Sequence, residues 1–241
     1  MKVTLISSTP DAVELLIFTK NTRLTMSPAA LEEIKAWPWE RKLSELEYMA
    51  NTIPSSWEFV DYTFMIEGVT RAFTHQFVRS RHWSFAQQTH RVLDVSTGKG
   101  WEYGIGPSIM NNPFAKEKYE NGMAYIDDLY KELIHGAGVT IEDARGILPT
   151  NILTNIVGKC TMRGFVELIY KRSGPRVQKE YRDVLAAMKA SVLEAHPWIS
   201  LFIDRTFDKA AADLDEEING ITDENKRIRM MKLADQMRAK Q

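Results

Sequence analysis

A single cysteine, Cys160, in 241 residues sets the first limit on what this chain can fold into. No intrachain disulfide and no multi-cysteine metal cage can form, so packing alone must hold the fold. The length suffices. A chain of this size buries roughly 70–75% of its unfolded surface, enough for a core without staples. It is long for one domain and short for two. With no repeat, low-complexity tract or linker, the expectation is one domain over residues 1–241, with 208–241 as a charged, helical or frayed tail. A lone cysteine fits a reducing compartment. The opening MKVTLISSTP lacks the apolar core of a secretory signal, and no apolar run reaches the ~20 residues that cross a bilayer. The expectation is therefore a cytoplasmic protein with no membrane partner.

Lys2–Ser7 reads as a first strand, Trp57–Ile66 as an aromatic and β-branched second, Gln88–Val95 as a third and Pro149–Cys160 as a fourth. Helical patterns occupy 11–19, 28–37, 41–51, 70–78, 113–135, 141–148, 163–170 and 176–195. Ser27 before Pro28, and Thr140 three residues before Asp143, mark two helix starts. Residues 98–112, rich in Gly, Pro and Asn, read as a loop. Few strands scattered among many helices give the α+β class.

Residues 71–91, RAFTHQFVRSRHWSFAQQTHR, hold Arg71, Arg79, Arg81 and Arg91 and no acid, in a chain whose formal charge is −1. Guanidinium is a permanent charge with a planar donor fork that suits phosphate and ring edges. Ser80, Ser84 and Thr89 add short donors, and the amides of Gln76, Gln87 and Gln88 can match a base edge. The segment is either a local anion site or a solvated basic helix end followed by a polar strand. The near-neutral total charge speaks against nucleic acid, which calls for a broad basic face. His75, His82 and His90 do not make a metal site, because seven residues of helix rise ~10 Å, too far for one ion; no metal is expected.

A second set comprises Arg145, Arg163, Arg172 and Arg176, with Gln178 and Glu180. The plain alternative pairs Arg145 with Glu142 or Asp143 and leaves Arg172 and Arg176 on the surface. Cys160 is read as an inert core residue. Trp83 belongs either to the core or to a stacking surface.

The spacing R-x-R-x-x-S-x(4)-[ST]-x-R, carried by Arg79, Arg81, Ser84, Thr89 and Arg91 with Gln76 upstream, resembles the RHRxxSxNxxSxR signature of the flavin-dependent thymidylate synthases. SSWEFVDYTF resembles that family's TPxEHxxFTF strand, with Ser55, Glu58, Thr63 and Phe64 in register. Ala144–Pro149 matches an AR-x-x-LP segment. Arg163, Arg172, Gln178 and Glu180 match R-x(8)-R-x(5)-Q-x-E. The resemblance covers about residues 50–185.

It implies a twisted, mostly antiparallel sheet surrounded by helices, of the thymidylate synthase-complementing-protein type. The implied activity is FAD-dependent methylation of dUMP at C5 to dTMP, with methylenetetrahydrofolate and NADPH as co-substrates, in a homotetramer with shared sites. By that resemblance Arg172 is the catalytic residue at the pyrimidine ring. Gln76, Arg79, Gln87, Thr89, His90, Arg91 and Arg145 bind the rest of the substrate. Ser55, Arg79, Ser80, Arg81, Gln87, Thr161, Arg163 and Glu167 face the cofactor. The chain departs from the pattern at Ser80 (usually His), Ala86 (Asn), Gln87 (Glu), Ile53 and Phe59 (His), and Thr161 and Glu167 (Asn). These read as marks of a divergent branch, virus-encoded forms being one source. Two alternatives stay open: a sibling C5 methylase or hydroxymethylase acting on dCMP or UMP, and a nucleotide-binding homologue without flavin.

Overall fold

Two strands carry a period-two pattern that decides the architecture. In β2 (Asp61–Thr70) Tyr62, Phe64 and Ile66 are buried and their neighbours less so; in β4 (Leu153–Thr161) Thr154, Ile156, Gly158 and Cys160 alternate in the same way. β1 (Lys2–Ser8) and β3 (Trp83–Gln87) flank them in the order β1-β2-β4-β3. Hydrogen bonds fix the register. Arg71 N donates to Ile152 O and Met162 N to Val60 O, so residue numbers rising along β2 fall along β4. Gln88 N donates to Asn155 O on the other side. The sheet is antiparallel, as expected. The computed structural model describes residues 1–22, 26–95, 97, 101–203, 214, 217, 218 and 220–239, with side chains to 234.

The chain gathers into two compact units. One comprises Met1–Ile6 and Thr63–Lys159, the other Ser7–Tyr62 and Cys160–Gln241. The first holds α4 (Arg71–Phe77), capped by Thr70, whose hydroxyl accepts from Phe73 N. It also holds the short α5 (Pro107–Met110), the long α6 (Pro113–Lys131), a π turn over Glu132–Gly136 and the one-turn α7 (Ile141–Ala144). Phe64, Phe77, Trp83 and Phe85 form one aromatic cluster, so Trp83 belongs to the core rather than to a ligand-stacking surface. Gly158 is needed beneath it: an added β-carbon would lie 3.1 Å from the Phe77 ring.

The second unit holds α1 (Ala12–Lys20), α2 (Pro28–Lys35) and α3 (Trp39–Ala50). It continues with α8 (Met162–Arg172), α9 (Lys179–Ala195), α10 (Ser200–Ile203) and α11 (Glu224–Ala239). α8 buries Met162, Phe165, Val166 and Ile169 and α9 buries Tyr181, Val184, Leu185, Met188 and Val192, the stripes by which the two helices pack. Each such fully buried large side chain contributes roughly 1.5–3 kcal/mol. Lys42 of α3 is buried and ion-paired to Glu14 of α1 at 2.6 Å.

Several boundaries differ from the sequence reading. Residues 54–59 form a 3-10 turn before β2 starts at Asp61, because Pro54 opens a turn that sends Trp57 edge-on into Phe202. The third strand is Trp83–Gln87, not Gln88–Val95. His82, in the left-handed region (φ 63°), turns the chain so that Trp83 and Phe85 stack on one face. The expected 98–112 loop contains α5 and a Tyr103–Ile152 bridge, with 98–100 outside the described residues. The helix expected over 141–148 becomes 3-10 after Ala144, and the one expected from 176 begins at Lys179. Of the tail, 208–213 and a few later positions lie outside the described residues; α11 is helical. No described helix is long and apolar enough to cross a membrane.

Candidate functional site

Backbone hydrogen bonds tie the start of α4 to the segment after α7. Arg71 N donates to Ile152 O, and Ala72 N to Thr150 O. This holds Arg71 at the head of α4 beside the turn that carries Arg145 (Arg145–Ile147). His90, 6% exposed, lies between these elements. Its Nδ1 is 3.5 Å from Arg71 Nη1, and burial, then Arg71, then Arg145 hold its pKa below the ordinary imidazole value. Among the described residues neither Arg71 nor Arg145 has a carboxylate within ion-pair distance; Arg145 Nε donates only to Glu142 O, at 3.2 Å. The plain alternative, Arg145 paired with the Glu142 or Asp143 side chain, is therefore not the arrangement among the described residues. Arg91 reaches the Glu142 carboxylate instead, at 3.8 Å and in solvent.

The first unit also contains most of the predicted substrate residues. Gln87, on β3, donates its amide to Thr74 Oγ1 at 3.1 Å, which fixes the amide's orientation. Thr89 accepts from Arg91 N, which shapes the turn after β3. Gln76 is half-buried on α4. Arg79 and Arg81 are exposed after α4, and Ser80 lies half-buried between them; neither arginine meets a carboxylate among the described residues. Arg71 was not singled out as a site residue from the sequence. The signal was present, since it opens the acid-free segment, but the matching motif begins only at Arg79.

The second unit carries the rest. Arg172, at the end of α8, holds its guanidinium 5.4 Å from the Tyr181 ring centroid and has no carboxylate partner among the described residues. The Thr161 hydroxyl caps α8 by accepting from Gly164 N. Arg163 is engaged by Glu58 at 2.6 Å and Glu167 at 3.2 Å; Glu58, then Glu167, raise its pKa. Glu167 also meets Lys171. Burial opposes its ionisation, but the bonds from Lys171 and Arg163 prevail and hold its carboxyl low. Ser55 is exposed on the 3-10 turn before β2. A cavity of about 380 Å³ between α1, α2 and the start of α3, lined by Phe18, Trp37 and Arg41 among others, contains none of these residues.

This donor set is chemically one-sided. Among the described residues the first unit offers Arg71, Arg79, Arg81 and Arg145 without an ion-pair partner, a buried imidazole and the fixed Gln87 amide, which suits phosphate groups and the polar edge of a base. The Arg163–Glu58–Glu167 network offers carboxylates and little free charge, which suits the polar edge of a ring better than a phosphate.

A β1-β2-β4-β3 antiparallel sheet among helices, with Arg71 and Arg145 beside a buried histidine, defines an α+β protein with a local cationic cluster, and the comparisons place it in a family. Residues 4–198 match the family model Thy1, thymidylate synthase complementing protein. The chain belongs to that family. It is 37% identical over 147 residues to a flavin-dependent thymidylate synthase of Nitratidesulfovibrio vulgaris, spanning 58% of this chain and 59% of the relative. It is 34% identical over 194 residues to one from Thermococcus onnurineus, spanning 75% and 78%. One from Geobacter sulfurreducens is 29% identical over 206 residues, spanning 83% and 85%. The fold matches the crystal structure of flavin-dependent thymidylate synthase ThyX from Helicobacter pylori complexed with FAD and dUMP, with a TM-score of 0.64 at 16% identity, covering 85% of this chain and 99% of that one.

Proposed function

We propose that this chain binds dUMP and FAD and methylates the pyrimidine at C5 to give dTMP. The methylene carbon comes from methylenetetrahydrofolate and the reducing equivalents from NADPH. The observation that carries this reading is the group of Arg71, Arg145 and buried His90 in a member of this family, with no carboxylate at ion-pair distance from either arginine among the described residues. Such a cluster attracts a phosphate. Arg91 and Thr89 lie next to it along the chain, and the fixed amide of Gln87 can meet a base or sugar edge.

Methylation at C5 requires that carbon to act as a nucleophile, which happens when negative charge developing on the ring oxygens is stabilised. Arg172, a permanent cation without a carboxylate partner among the described residues, supplies that stabilisation in this reading. No enzyme nucleophile is involved, which agrees with Cys160 being buried. Arg79, Ser80 and Arg81 would hold the phosphates of FAD, and Ser55, Thr161, Arg163 and Glu167 its ring system, with Gln87 serving both substrate and cofactor. When bound, FAD supplies the hydride that NADPH delivers. The residues themselves bind, orient and polarise. A homotetramer with shared sites, acting in the cytoplasm, completes the proposal.

The test is direct. The purified protein should show a flavin spectrum after FAD addition, oxidise NADPH faster with dUMP present, and yield a product heavier by one methyl group. A colourless protein that binds dUMP without NADPH oxidation, or turnover only with dCMP or UMP, would overturn it.

A further inference from the structure

His90 sits where a bound phosphate would change its charge. The ring is buried, and its Nδ1 faces Arg71 Nη1 at 3.5 Å. With Arg71 as donor, Nδ1 is the acceptor and the neutral ring keeps its proton on Nε2. Among the described residues, the charged groups that act on it are Arg71 from α4, in contact, and Arg145 from the turn after α7. Its neighbour Arg91 is turned toward Glu142 of α7. On the strand side, the hydroxyl of Thr154 in β4 bonds to Gln88 O at 3.5 Å and carries no charge. In the free protein, burial and the two guanidiniums keep the ring neutral at neutral pH. A phosphate dianion between those guanidiniums removes the repulsion and adds attraction.

We propose that His90 is a positioning residue that takes up one proton from solvent as the nucleotide's phosphate binds, so that three cations rather than two meet the dianion. The step is simple in balance: a neutral imidazole gains a proton at Nδ1, and no other bond is made or broken. Once both ring nitrogens are donors, Arg71 Nη1 can no longer donate to the ring and is released to the phosphate. Binding thus switches Arg71 from holding a histidine to holding the ligand. The inference rests on the nucleotide reading above and adds proton linkage to it.

Calorimetry in two buffers of different ionisation heat, at about pH 7.5, reads the proton count. At that pH the phosphate, with a second pKa of about 6, is already dianionic and contributes almost nothing. Wild-type protein should take up most of one proton per dUMP bound, and none with deoxyuridine. His90→Gln should bind dUMP with no uptake. Equal uptake in both proteins, or none in a wild type that binds dUMP, would overturn the proposal. If wild type binds no dUMP at any pH, the nucleotide reading itself falls. Should His90→Gln not fold, imidazole ¹⁵N spectra of the wild type decide. One ring passing to the doubly protonated form on dUMP addition supports the idea, and five unchanged rings sink it.

Discussion

Arg145 and Arg172 separate binding from chemistry, because they stand against different parts of the proposed substrate. Arg145→Ala removes one of two guanidiniums beside His90. A hydrogen bond to a charged group is worth roughly 1.5–3 kcal/mol, so dUMP should bind about 10- to 100-fold more weakly by calorimetry, with the fold intact. Arg172→Ala should instead leave the dUMP Kd within about tenfold and cut single-turnover methylation by roughly a hundredfold or more. Its stacking on Tyr181 is worth only about 0.5–1 kcal/mol, so the variant should stay folded. A variant with near-normal turnover would remove Arg172 from the reaction. At this scale spacing singles out residues that share a short motif, such as Arg79, Arg81 and Arg91. It was silent on Arg71 and on the environment of His90. Both depend on hydrogen bonds from α4 to residues 150 and 152, a long-range pairing that one sequence does not display. It also did not reveal that Arg163 would be neutralised by Glu58, 105 residues away.

The site's geometry rests on how elements are fastened. Thr70 caps α4, and a β-carbon on Gly104 would lie 2.6 Å from the Thr70 methyl, a nearly buried β-branched side chain with little room to move. Gly104→Ala should therefore disturb the cap, lower stability by roughly 1–3 kcal/mol in urea melts and weaken dUMP binding, although no ligand group is touched. Binding and stability both unchanged would show that the cap does not position Arg71. In the other unit, Lys42→Ala should cost roughly 3 kcal/mol by leaving Glu14 poorly solvated and unmatched, whereas Lys42→Met with Glu14→Leu should recover most of that loss. The central strands were legible from the alternation in Tyr62–Ile66 and Thr154–Cys160. The edge strand was not: Trp83–Gln87 is a strand because β4 pairs with it and Gly158 leaves room for its aromatic cluster, neither of which is local information.

For the molecule as a whole, two half- to fully buried histidines make stability depend on pH. His196 Nδ1 lies 3.1 Å from the Tyr62 hydroxyl, its ring stacks on Trp198, and burial holds it below the ordinary imidazole pKa; His90 shifts the same way. Both rings take protons more readily in the unfolded chain, whose value is about 6.5. Their contribution is therefore complete above that pH and is lost as pH falls below it toward the folded values. The melting temperature should hold steady from about pH 8 to 7 and drop from about pH 6.5 to 5. His196→Gln should flatten that drop; an unchanged slope would assign it to other groups.

The lone thiol at the end of β4 offers one more use. Cys160 is 2% exposed and has no sulfur elsewhere in the chain with which to form a bridge. An alkylating reagent should meet it only when the structure opens around that strand, so the labelling rate becomes a stopwatch for breathing. Slower labelling with dUMP or FAD present would put ligand-induced tightening on a timescale that needs no engineered probe.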